Sequence, residues 1–121
     1  MTLEEHTTTG KPMTPEALKD LILKLLDDKK AENVNVIDLQ NATSLTRFMI
    51  FANGRSSRNI AAMADYVADE LKKAGHPHIS IEGLGNAEWV LMDAGDAIVH
   101  LFQAEARELY KLEDLWGARK G

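Results

Sequence analysis

Two groups of residues have the types and spacing of a reaction centre. Gly54-Arg55-Ser56-Ser57 lies between an apolar run and a helical pattern, a place where free backbone amides could hold an anion or a phosphate. In nucleotidyltransferases a Gly-Ser pair at such a helix start works with carboxylates on a nearby strand, which together hold two divalent ions. That reading makes Gly54, Ser56, Asp93 and Asp96 the machinery of a metal-dependent nucleotidyl or phosphoryl transferase. The ligand pattern falls short of it. Metal-holding carboxylates sit two apart on one strand and so point the same way. Asp93 and Asp96 instead straddle the Ala94-Gly95 turn, and no Asp-x-Asp or Asp-x-Glu occurs within any predicted strand. The loop also lacks the glycine spacing and the lysine of a phosphate-binding loop, which leaves a plain helix start as its simpler role.

The histidines and serines offer less. His76-Pro77-His78 could put two imidazoles on one side of an extended segment, but no third ligand has convincing spacing, so no metal is expected. His100 stands in the apolar stretch Ile98 to Phe102, near Asp96, either as a pH-sensitive contact or as a core histidine with a satisfied ring. No serine has a Gly-x-Ser-x-Gly setting. With no cysteine there is no thiol nucleophile, thiolate cage or disulfide, which suits a reducing compartment. The more informative stretch is Glu88 to Asp93. Period two places Trp89, Leu91 and Asp93 on one face and Val90 and Met92 on the other. Trp89 then either covers the core or, if exposed, serves as the kind of anchor that dominates protein interfaces.

The elements that would position these residues can be read from caps and periodicity. Thr14-Pro15-Glu16 opens a helix, and Leu18, Leu21, Ile22, Leu25 and Leu26 form its apolar stripe. Strands are expected at Val34 to Leu39 and, buried on both faces, at Phe48 to Ala52. Ser56 or Ser57 caps a second helix with Ile60, Met63, Ala64, Val67, Ala68 and Leu71 inward, and Gly75 ends it. A short strand at Ile79 to Ile81, a loop at Gly83 to Asn86, a hairpin of Glu88 to Asp93 with Asp96 to Phe102, and a helix from Glu105 to Trp116 follow. The order αββαβββα predicts an α/β domain, one mixed five-stranded sheet with helices packed on it.

Composition sets the outer limits. A chain of 121 residues, 45% hydrophobic, suits one domain with a real core. We expect a tail over 1–13, the domain over 14–117 and a second tail over 118–121. The apolar runs fall far short of the roughly 20 residues a membrane helix needs, and Met1 to Thr14 lacks the marks of a secretory or transit peptide. A cytoplasmic protein is the default. Net charge is −5, from 19 acidic and 14 basic residues, so direct nucleic-acid binding through a basic surface is not expected, and a basic protein surface is the better partner.

Several of these stretches, taken in order, resemble the bacterial ribosomal silencing factors, also called Iojap proteins. They are Ser44-Leu45-Thr46, Gly54-Arg55-Ser56-Ser57-Arg58, Glu82-Gly83, Glu88-Trp89-Val90-Leu91-Met92-Asp93, the run Asp93 to Gln103, and the run Glu105 to Trp116. The resemblance covers Leu18 to Trp116. It implies a nucleotidyltransferase-like fold without the catalytic residues, no cofactor and no enzymatic activity. It further implies binding to the large ribosomal subunit through that subunit's protein numbered fourteen, blocking its joining with the small subunit and repressing translation under nutrient limitation, as in stationary phase. By position Trp89 resembles the family's interface aromatic, Leu91 its same-face partner, and Asp93 and Asp96 the acids of the family's turn. His100 falls in the family's Val-His stretch and completes the set expected to bind the partner: Trp89, Leu91, Asp93, Asp96 and His100. The free protein could also pair with itself through the Trp89 face. Arg47, Asn53 and Arg55 depart from residues common in the family and bear mainly on the Gly54 loop.

Overall fold

A computed structural model describes residues 13–40, 46–83 and 88–110. Helix α1, Pro15–Asp28, starts as its sequence dictates. The Thr14 hydroxyl accepts the Ala17 N–H at 3.0 Å and Pro15 takes the first turn, where its missing N–H is not needed. Leu18, Ile22, Leu25 and Leu26, spaced three and four apart, are buried, and Met13 just before the cap packs against the same core. Helix α2, Ser57–Lys73, is capped by Ser56, whose Oγ accepts the Asn59 N–H at 3.0 Å. Its end closes by two reversed hydrogen bonds, Gly75 N–H to the Lys72 carbonyl at 3.0 Å and His76 N–H to the Leu71 carbonyl at 2.8 Å. This closure places Gly75 at φ 91°, a backbone region glycine enters without strain.

Five strands run between and after these helices: β1 Glu32–Asp38, β2 Phe48–Gly54, β3 Ser80–Glu82, β4 Trp89–Asp93 and β5 Ala97–Gln103. A last helix, α3, covers Ala104–Tyr110. The sheet order is β1-β2-β5-β4-β3, with β2 and β5 parallel at the centre and every other pair antiparallel. The α/β class, the αββαβββα order and the mixed five-stranded sheet agree with the sequence reading. Boundaries move by a residue or two. β1 begins at Glu32, ahead of the apolar alternation, because an irregularity between Glu32 and Asn35, with Asn33 at φ 52°, lets a polar stretch pair with Asn53. The expected final helix begins one residue early, and its outer part, including Leu112, Leu115 and Trp116, lies outside the described residues, as do Ser44, Leu45, most of the Gly83 to Asn86 loop, the expected tail up to residue 12 and the tail 118–121.

The sheet separates two clusters. On one face α1 and α2 pack over Phe48, Ile50, Ala52, Val90, Met92, Val99 and Leu101, an almost wholly aliphatic core. On the other, Ile37, Leu39, Met49, Phe51 and Phe102 gather with Ala106 of α3, and Trp89 and Ile98 lie half-buried against them. β2 is buried along its whole length, which is why its sequence shows no alternation. The strand residues of the second cluster owe their place to the strand period of two, and the residues singled out at the hairpin stand on that face.

Candidate functional site

β4 alternates as expected: Val90 and Met92 are buried toward the helices, while Trp89 and Leu91 are half-buried and Asp93 exposed on the far face. The register sets their neighbours. Trp89 lies opposite Phe102, Leu91 opposite His100 and Asp93 opposite Ile98; across β5, His100 and Ile98 in turn lie opposite Phe51 and Met49. The result is a strip that runs from aromatic rings at one end to carboxylates at the other.

Four rings make up the aromatic end. His100 stacks on Phe51 with centroids 4.7 Å apart and planes 9° from parallel. Trp89 lies over both His100, at 5.7 Å, and Phe102, at 5.4 Å. Such offset stacks add to the burial of the rings themselves. The Trp89 indole N–H donates to His100 Nδ1 at 3.0 Å. A neutral imidazole has one donor and one acceptor nitrogen, so this bond assigns the proton to Nε2. His100 is 4% exposed, and burial lowers its pKa from 6.5 to about 4, because a charged ring would lose its hydration. The ring is therefore neutral at physiological pH. Among the described residues Nε2 has no hydrogen-bond partner, a condition that costs about 1–3 kcal/mol for a buried donor. Of the two roles open to His100, that of a core histidine fits, but with a ring satisfied at one nitrogen only.

Gly83 holds the entry to β4. Its φ is 94°, and a Cβ there would collide with the Trp89 carbonyl oxygen, so the backbone passes where only glycine fits. At the acidic end Asp93 Oδ1 accepts the Gly95 N–H at 2.9 Å, and Gly95 itself sits at φ 89°. This is a local turn device. The Asp96 carbonyl accepts the N–H groups of Arg47, at 3.1 Å, and Phe48, at 3.0 Å, which anchors the turn to β2. Both carboxylate side chains are exposed. Exposed Glu88 and Glu105 line a small cleft with Gln103 and Ala106 beside the aromatic end, so acids flank the strip at both limits.

The Gly54 loop commits the Arg55 amide internally. Asn59 Oδ1 accepts the Arg55 N–H at 2.9 Å while Ser56 Oγ caps the Asn59 N–H, the arrangement of a helix start. Gln103 Nε2 donates to Ser57 Oγ at 3.0 Å, tying this start to β5. His76 and His78 do not come together as a pair of ligands: the His76 ring Nε2 bonds the Ala94 carbonyl at 2.8 Å and braces the hairpin turn, while His78 is exposed on the wall of an open depression beside Asp93.

Sequence reasoning brought Trp89, Leu91, Asp93, Asp96 and His100 forward, and the structure puts the first three and His100 on one face with Asp96 at its turn. It missed Phe51 and Phe102, whose burial looked like ordinary core, and Gly83, whose motif with Glu82 was the signal available. It also missed the role of Arg47. That side chain forks onto Asp38, Nε at 2.7 Å and Nη2 at 3.2 Å, and reaches Glu16 at 3.1 Å. The fork holds the Asp38 carboxyl below its ordinary range and links β1, β2 and α1.

Known proteins share this architecture. The family described as "Ribosomal silencing factor during starvation" matches residues 12–121. A ribosomal silencing factor from Zymomonas mobilis is 47% identical over 103 residues, covering 85% of this chain and 77% of that protein. A mouse protein named for mitochondrial assembly of the ribosomal large subunit is 32% identical over 103 residues, 83% of this chain and 45% of its own length. A crystal structure of a Chromobacterium violaceum protein superposes with a TM-score of 0.82 at 39% identity, covering 87% of this chain and 88% of that one.

Proposed function

The chain belongs to the ribosomal silencing factor family, and from that premise we propose that it docks on the large ribosomal subunit through the strip of Trp89, Leu91, Asp93 and Asp96. In this reading the contact is made to the subunit's protein numbered fourteen, joining with the small subunit is blocked by bulk, and translation falls under nutrient limitation. The site of action is the cytoplasm, where the ribosomes are. The carrying observation is the half-buried Trp89, stacked on an aromatic floor and flanked by exposed acids. A large ring held in place loses little freedom on binding, and a carboxylate rim suits the basic surface of a ribosomal protein. The mouse relative, named for the large subunit, supports the choice of subunit.

This activity is steric and needs no reaction. The competing transferase reading has little to work with, since Ser56 is occupied as a cap and Asp93 as a turn acceptor. A self-association of the free protein is compatible with docking: Trp89, Leu91 and Ile98 are half-buried hydrophobic side chains on one face, and a second copy could cover them until the ribosome competes. Light scattering of the native chain and of Trp89→Glu separates the cases, because a dimer of unchanged mass in the variant excludes that face.

Co-sedimentation with separated large and small bacterial subunits tests the main reading. The native chain is expected to pellet with large subunits alone, and folded Trp89→Ala to remain in the supernatant. Failure of the native chain to pellet with either subunit ends the proposal.

A further inference from the structure

We propose that His100 is a positioning residue for Trp89: by accepting the indole N–H it fixes the ring and removes its one polar group from the docking surface, so that the partner meets Trp89 with an apolar pocket and not with a hydrogen-bond acceptor. This rests on the docking reading above for its functional half only. The bond itself belongs to the free protein.

A histidine does something at this position that a hydrocarbon could not. The ring is buried and stacked on Phe51, a role phenylalanine fills at least as well. Its Nε2 is a buried donor with no partner among the described residues, a handicap phenylalanine lacks. The feature that sets histidine apart is therefore Nδ1, the acceptor 3.0 Å from Trp89 Nε1. The geometry reinforces this. Trp89 lies directly opposite Phe102, and His100 is two residues along β5, a diagonal neighbour within reach of a large side chain. One hydrogen bond and two stacked rings then define the indole plane from two directions. An indole with its N–H already engaged can offer a partner only carbon surface, since tryptophan has no second donor and no acceptor. The chemistry that fits is aliphatic or aromatic, and the acids at the ends of the strip carry the polar part of recognition.

Solvent exchange of the Trp89 indole N–H, followed by ¹H–¹⁵N spectroscopy and assigned by Trp89→Phe against the other tryptophan, Trp116, reads the bond directly. In the native chain it is expected to exchange slowly; in His100→Phe, which keeps the stack and deletes the acceptor, exchange is expected to quicken at least tenfold. Binding of His100→Phe to large subunits is expected to weaken about fivefold, as the freed indole must be reoriented and its donor dehydrated. His100→Asn, which returns an acceptor oxygen near the Nδ1 position, is expected to restore slow exchange. Unchanged exchange in His100→Phe overturns the proposal, and so does fast exchange with undiminished binding. If His100→Phe fails to fold, the native protein still decides: long-range ¹H–¹⁵N correlations must show His100 protonated at Nε2 alone, and a proton at Nδ1 sinks the idea. If the native chain binds no large subunit, the docking reading falls by itself while the exchange and tautomer results still judge the Trp89–His100 bond.

Discussion

On the face of the sheet covered by α1 and α2, side chains such as Ile22, Leu26, Ile50, Val67 and Leu101 are fully buried hydrocarbon; on the opposite face a histidine whose Nε2 has no hydrogen-bond partner among the described residues is packed among aromatic rings, and Trp89, Leu91 and Ile98 are left partly in water. Both faces belong to the same five strands, so backbone pairing does not distinguish them. The first is arranged for stability. The second accepts a polar cost and incomplete burial, and in return presents a stacked aromatic surface flanked by acids. Residues that break local packing rules are expected where a protein binds.

That contrast can be attacked on either side. Removing hydrocarbon from the helix-covered face is expected to cost the fold most: Ile22→Ala should lower the unfolding free energy by about 3 kcal/mol, measured by chemical denaturation, and leave large-subunit binding of the folded fraction intact. An acid titration probes the other face. Because the folded pKa of His100 is depressed to about 4 from 6.5, its contribution is complete above pH 6.5 and is lost as pH falls toward 4, since the unfolded chain takes up the proton first. The expected loss is up to about 3 kcal/mol. His100→Phe should flatten that part of the profile, and an unaltered slope would place the acid sensitivity elsewhere. The carboxyls of Asp28 and Asp38, both held below their ordinary range by hydrogen bonds from Tyr66 and Arg47, lose their contributions at lower pH still. Trp89→Ala should reverse the pattern of Ile22→Ala. Docking is expected to weaken by roughly 30-fold while the midpoint of unfolding moves less than in the core variant. The smallest change is expected at the Gly54 loop, where Ser56→Ala should remove a helix cap at a cost of about 1 kcal/mol and leave docking as it was; a larger loss of docking would return that loop to the functional surface.

How far the sequence disclosed this arrangement follows from the range of each interaction. The caps Thr14 and Ser56, the Gly75 terminator and the alternation of β4 depend on neighbours within a few residues, and each stands where it was expected. The face shared by Trp89, Leu91 and Asp93 was legible for the same reason. The bond from Trp89 to His100 was not, because it depends on the β4–β5 register and on which ring nitrogen faces the indole. Arg47 was likewise noted only as a departure from a family pattern, whereas its partners lie on two other elements. Asp93 and Asp96 were placed together correctly at a turn, but that Asp93 is tied to the Gly95 amide could not be told from spacing.

The parallel pairing of β2 with β5 has a consequence in time. Phe48 meets Ala97 and Gly54 meets Gln103, so the two central strands are separated by about fifty residues of chain, and closing so long a segment must precede any reward from the contact. During synthesis β2 emerges with both faces apolar and with the edge that pairs with β5 left open until β5 follows. The molecule completes the middle of its sheet only when its last strand arrives, and over that interval its most fully buried strand is open to mispairing and in need of shelter.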